Sequence, residues 1–279
     1  PHLLTVRAFH DVYFGGRVFR SGTTGTARMD KTGDRTVWIL GDEDNTRLAV
    51  SLDEGTLFLD KASDANVHAL GGGLGSEDGP ALTIRGTGEV IINHSIAASG
   101  STDAGDGSVN DQIADTAGVM LESGLLAVLA DEAIGALNGG GVVTDSGIGY
   151  TLTVGGGNGS GHFSGAFKEG LRVTKTGTGT QTFSGDADGA VIGSGMSGPV
   201  TVDAGTLNLT GSLRTSYGVL VRSGATLAGT GMVRRVTLES GAVFAPGNAE
   251  LPASPGTFHV GYEGNGSVDW RKHAILRCR

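Results

Sequence analysis

The chain has 279 residues, 51 of them Gly and 6 Pro, with 38% hydrophobic but only 5% aromatic residues and a formal net charge of -9. Abundant Gly without a G-X-Y period excludes collagen and demands many tight turns, while a core short of aromatics fits layered strands better than a helical bundle. The acidic balance, with Lys and Arg scattered, argues against nucleic acid and anionic membrane surfaces as partners, and the single Cys278 excludes an internal disulfide framework or Cys-based metal cluster.

The first 45 residues lack a clear repeat and mix Arg7, Arg17, Arg20, Arg28 and Lys31 with acids; residues 1–45 are expected to be a capping or remnant segment. Within them Trp38, in the apolar run Val37-Trp38-Ile39-Leu40, is expected in the core or cap. A recurring word then begins, a Gly followed by alternating apolar residues. Gly55-Thr56-Leu57-Phe58-Leu59 is its first clear copy, with weaker ones at Gly86-Thr87-Gly88-Glu89-Val90 and Gly124-Leu125-Leu126-Ala127-Val128. Helix is a fair local reading of Leu125 to Leu137, but the word at its start and the flanking Gly124 and Gly135 favour strands. Thr-rich alternation at Val173 to Phe183 and Val200 to Leu209 predicts strands with exposed outer faces. Clear copies follow at Gly205-Thr206-Leu207-Asn208-Leu209, Gly224-Ala225-Thr226-Leu227-Ala228, Gly241-Ala242-Val243-Phe244-Ala245 and Gly256-Thr257-Phe258-His259-Val260. Residues 46–270 are thus expected to form one repeat body, which Trp270 and Tyr262 are placed to close, and residues 271–279 an irregular tail.

Each word is a turn plus a short half-buried strand, too small to close a core alone, so copies must stack. The expected fold is all-β, a right-handed parallel β-helix. At roughly 20 to 24 residues per coil there would be on the order of 12 coils, nearly 60 Å in length.

Gly170-Leu171-Arg172-Val173-Thr174-Lys175-Thr176-Gly177-Thr178-Gly179-Thr180-Gln181-Thr182-Phe183-Ser184-Gly185, followed by Val200-Thr201-Val202-Asp203-Ala204-Gly205-Thr206-Leu207-Asn208-Leu209, resembles the passenger-associated repeat of bacterial autotransporters. Flanking Ile134 to Gly139, Leu152 to Gly157, Ser223 to Gly231 and Ala245-Pro246-Gly247-Asn248 resemble its neighbouring coils. The similarity covers about 118–268 and, more thinly, 47–117. It implies a β-helix exported from a Gram-negative cell by type V secretion, through a C-terminal β-barrel that this sequence does not contain. The family usually joins the two halves of the repeat by a short Tyr-Thr-Gly turn; here the join is 186–198, a predicted bulge. No spanning run or leader is found and the sequence opens without Met, so it is expected to be part of a longer protein.

Motifs for chemistry are weak. No Ser has Gly two residues away on both sides, and Thr144-Asp145-Ser146-Gly147, the nearest approach to a serine-protease segment, reads as a turn. His10-Asp11 is an isolated pair. Asp103, Asp106, Asp111 and Asp115 could gather oxygen ligands but lack EF-hand spacing and read as a solvated loop; Gly72 to Asp78 is one imperfect copy of a Ca²⁺ nonapeptide that works only when stacked. Gly193 to Gly198 matches GxGxxG but leads into Pro199 and a strand, which fails the dinucleotide context. His68, His94, His162 and His259 show no metal spacing and read as surface or turn residues, and the glycosylation patterns at Asn93, Asn158, Asn208 and Asn265 read as chance.

No catalytic, cofactor-binding or metal residue is therefore assigned, and no cofactor is expected. The expected role is a non-enzymatic, surface-displayed or released adhesin that contacts a host surface or matrix, or other copies of itself, as in virulence. One alternative is a scaffold of a larger passenger whose protease or lipase module lies elsewhere. The other is a pectin-lyase-like polysaccharide enzyme, favoured if acidic residues of neighbouring coils converge in a groove.

Overall fold

The computed structural model describes residues 3–18, 26–45, 47–62, 67–71, 79–93, 111–185, 196–213, 215, 217–247, 257–261 and 266–277. The strand word works as expected. In Thr56–Lys61 the residues Leu57, Leu59 and Lys61 point inward and are buried, while Thr56, Phe58 and Asp60 alternate outward. Such a strand has an apolar face on one side only, and it buries that face by stacking on the next coil.

Every strand ladder is parallel, and non-consecutive strands lie side by side, so the chain coils as a parallel β-helix. The long face carries twelve strands, from Leu3–Arg7 to Ile275–Leu276, in agreement with the expected number of coils. A second face of seven strands runs from Val12–Phe14 to Ala166–Phe167, and three strands, Ser212–Leu213, Met232–Val233 and His259–Val260, form a further short sheet. The third face has seven strands, Glu132–Ile134 to Ser267–Trp270. Leu125 to Leu137 is strand throughout its regular parts, with no helical turn. Residues 27–41 are already strands of the long and second faces, and their neighbours in register are Leu48–Leu52 and Thr56–Lys61.

Inward residues form vertical columns, for example Met29, Val50, Leu82, Val119 and Leu137 on the long face. Phe163, Phe167 and Phe183, with ring centroids 5.0 to 6.5 Å apart, fill the interior where the second face ends. Trp38 departs from its expected place. Val37 and Ile39 take the core positions, and Trp38 lies outside the second face between Tyr13 (5.9 Å) and Phe58 (4.1 Å). Strand alternation puts only every second residue of an apolar run inside. Trp270 packs edge-on against Phe244 at the last coils, and Tyr262 lies outside the described residues. The Thr-rich outer surfaces are less exposed than expected: Thr182 and Asn208, adjacent in register, are buried, with Asn208 Nδ2 donating to Thr182 Oγ1 at 3.3 Å.

Three fully buried lysines sit at corners. Lys31, Lys61 and Lys175 are each the last inward-facing residue of a strand; Lys61 and Lys175 end theirs, and Lys31 is followed by Thr32. Lys31 Nζ donates to the carbonyls of Gly33 and Glu54, Lys61 Nζ to Leu40 and Gly16, and Lys175 Nζ to Thr176, Gly177 and Ala204. The local sequences match. Lys31-Thr32-Gly33 precedes Asp53-Glu54-Gly55-Thr56-Leu57 as Lys175-Thr176-Gly177 precedes Asp203-Ala204-Gly205-Thr206-Leu207. The first corner joins the long face to the second, the other joins the third face to the long. Gly205, at φ 64°, has no room for a side chain, because a Cβ would run into the carbonyls of Gly177 and Gly179.

Desolvation holds the Lys175 ammonium down at about 8. Replacing Lys175 by Met orphans three inward carbonyls and should cost about 2–4 kcal/mol at pH 7. The folded pKa lies below the unfolded 10.5, so stability from this group rises as pH climbs from about 8. Denaturant melts of the two proteins should therefore diverge further at pH 10.

Candidate functional site

The most concentrated chemistry among the described residues lies where the third side of the early coils is built from short irregular segments rather than strands. Residues 42–45, 67–70 and 111–113 run one below another there, linked by Asn45 N–H to His68 O, Leu70 N–H to Gln112 O and a parallel bridge between Leu70 and Ile113. Side chains supply what the ladder lacks. His68 Nδ1 donates to Asp44 Oδ1 at 2.9 Å and Nε2 to Asp111 Oδ2 at 2.8 Å; the same Asp44 oxygen accepts His68 N–H. The carboxylates, Asp111 foremost, raise His68 to about 9, against the opposing effect of burial. It is an imidazolium at neutral pH, with both nitrogens engaged.

Beneath it, Glu132 is fully enclosed and accepts Ile113 N–H (2.8 Å) on one oxygen and Gln112 N–H (3.1 Å) on the other. Burial pushes its carboxyl well above the usual carboxylate range, as it raises Asp115, which also feels Asp111. The Gln112 amide pairs with both backbone groups of Lys61, accepting the N–H and donating to the carbonyl at 2.9 Å each. Gln181 does the same for Leu137, two coils above it. A glutamine amide here imitates the missing rung of a ladder.

The sequence pattern points to a surface or turn position for His68 and a solvated loop for Asp111; both are buried, at 9% and 4% exposure. Nothing local marks them, because the partners are 24 and 43 residues from His68 in sequence. The arrangement holds three segments together, and the imidazolium itself, with both nitrogens bonded, can neither abstract a proton nor reach a ligand.

Other candidates are dispersed. Asp11 Oδ1 accepts Thr36 N–H, and its neighbour His10 is exposed. Asp145 is a turn carboxylate, as expected of Thr144 to Gly147. It is buried, accepting N–H groups from Gly147, Gly149, Tyr150 and Gly170 at 2.7 to 3.2 Å. His162 Nε2 meets Ser184 Oγ at 2.7 Å on the exposed long face, a nucleophile and base pair that sequence separation concealed. Among the described residues no carboxylate bonds this pair to complete a triad. Asn158 Oδ1 accepts Thr178 N–H, so this residue links coils. Residues 72–78, Asp103, Asp106, His94, Gly193, Asn265 and Cys278 lie outside the described residues; Gly198 leads through Pro199 into a strand.

Two shallow grooves cross the coils. One, of about 310 Å³, is lined by Asp34, Glu54 and Glu89 from three successive coils with Thr56 and Thr87. The other, of about 390 Å³, contains Ile148, Arg172 and Tyr217 over a floor of glycines. Among the described residues no group of three or more His, Cys, Asp or Glu is arranged to hold a metal ion, and no helix is long and apolar enough to cross a membrane. Protein-family models, curated proteins and solved structures yield no match to this chain.

The His68 bridge makes a signed pH prediction. Its folded pKa, near 9, lies above the ordinary histidine value of 6.5, so its stabilisation is complete below about 6.5 and is lost as pH rises through about 9. The stability gap between the wild type and His68→Gln should shrink by about 3 kcal/mol between pH 6 and pH 10, read by urea unfolding at each pH. Glu132→Leu, which strands the Gln112 and Ile113 N–H groups in the interior, should cost about 2–4 kcal/mol at pH 7.

Proposed function

We propose that this chain is a section of an autotransporter passenger, a non-enzymatic surface module that binds a host surface, matrix or other copies of itself. The reading rests on the autotransporter-like repeat in the sequence, and on one structural observation. The buried polar groups with the strongest mutual contacts join one coil to the next, so the chemistry is spent on holding an extended stack. A stack of twelve coils offers long outer faces, a shape suited to many weak contacts spread along a surface.

A polysaccharide-cleaving reading has one observation in its favour, the carboxylates of Asp34, Glu54 and Glu89 along a single groove. Cleavage needs an acid and a base held at a set separation. The Asp34 side chain is 84% exposed and its ion pair with Arg35 is long, at 3.7 Å, so it is not so held.

Purified protein should bind host cells or matrix saturably, or clump, and should leave acidic polysaccharides uncut. Chain cleavage that disappears in Glu89→Gln would replace the surface-module reading with the enzymatic one.

A further inference from the structure

The glycine-floored groove lies at one repeated corner, where successive coils enter the third face. Its lining comes from the turn 147–149, from Gly170 and Arg172, from 197–199, and from Tyr217, which belong to four successive coils. At ~4.8 Å per coil the groove runs about 14 Å along the axis. Two apolar posts stand at its ends, Ile148 with 71% and Tyr217 with 67% exposure. Both turns carry hydrogen bonds that tie them to the coils. The Asp145 carboxylate gathers the turn around Ile148 and ties it to Gly170 on the next coil. The Thr215 hydroxyl accepts Tyr217 N–H and itself donates to the Gly198 carbonyl.

Arg172 occupies the middle. Gly149, whose φ of 99° suits glycine, lies alongside it: a Cβ there would be in ordinary contact, 3.4 Å from two guanidinium nitrogens. Among the described residues Arg172 has no ion-pair partner and no carboxylate lines the groove, although the chain carries 29 acids against 20 Lys and Arg. Charge, a free aromatic ring and a bare backbone floor thus converge on a site whose posts need no ordering on binding.

We propose that this groove binds an acidic glycan, with Arg172 taking a sugar carboxylate in a bidentate pair and Tyr217 stacking on a neighbouring ring. The proposal rests on the surface-module reading and names the class of ligand for it. Planar guanidinium and carboxylate match in geometry. A peptide fits less well. The adjoining strand Arg172–Lys175 is already paired on both sides, which rules out strand addition, and the groove is too shallow to give side chains separate pockets. Nucleic acid needs several phosphate contacts, and the groove supplies one cation.

Isothermal titration of the full chain with a hyaluronan oligosaccharide tests this, with neutral cello-oligosaccharide, a heparin-derived oligosaccharide and an acidic peptide as comparisons. The uronate sugar should bind, the neutral one at least tenfold more weakly. Arg172→Ala and Tyr217→Ala should each weaken binding at least tenfold, with circular dichroism and melting temperature unchanged because both side chains are exposed; Arg172→Lys should retain part of the affinity. No binding of the uronate sugar, equal binding by both variants, or preference for the peptide would overturn the glycan site. Stronger heparin binding that Arg172→Ala leaves intact would overturn it too, as simple charge attraction elsewhere. Cell binding by the wild type, measured separately, reports on the surface-module reading whatever the titration gives.

Discussion

A chain that coils must turn a corner several times per circuit, and at each corner some peptide carbonyls point into a dry interior where no ladder partner reaches them. Leaving such a group unpaired costs as much as losing a good core contact. The resolution here is to send long polar side chains inward from the last inward-facing strand position before the corner. Lys31, Lys61 and Lys175 lay their aliphatic stems among core residues and deliver an ammonium to two or three carbonyls. Gln112 and Gln181 do the same where a backbone peptide needs both a donor and an acceptor, and Glu132 where two N–H groups need an acceptor. The apolar columns of the core can stack without interruption because these few polar residues complete the corners.

The fold was legible because its signal is periodic. Gly55-Thr56-Leu57-Phe58-Leu59 and its later copies state both the turn and the alternation, and stacking follows from the inability of one copy to bury itself. What escaped was whatever depends on two coils at once. Lys31 reads as an ordinary surface charge until its Nζ is seen against the carbonyl of Glu54 on the next coil. The likeness between Lys31-Thr32-Gly33 and Lys175-Thr176-Gly177 was present in the sequence, but diverged flanks masked it. His68 is the extreme case, since its two carboxylates come from different coils and belong to no motif. The corner groove is of the same kind: glycines that read singly as turns become a trench only when four turns align.

The buried network also shows how easily chemistry can be misread from composition. A histidine between two aspartates resembles a relay, yet the same geometry that raises its pKa keeps it protonated and fully engaged. Its role is to stand in for strands on the one side of the early coils where regular pairing is thin.

The Lys-Thr-Gly corner occupies two different edges of the prism, entering the second face in one copy and the long face in the other. The turn is therefore a portable joint rather than a feature of one edge. A rigid partner that read this turn in both copies would have to wrap around the rod, whereas a flexible one could follow it like the thread of a screw.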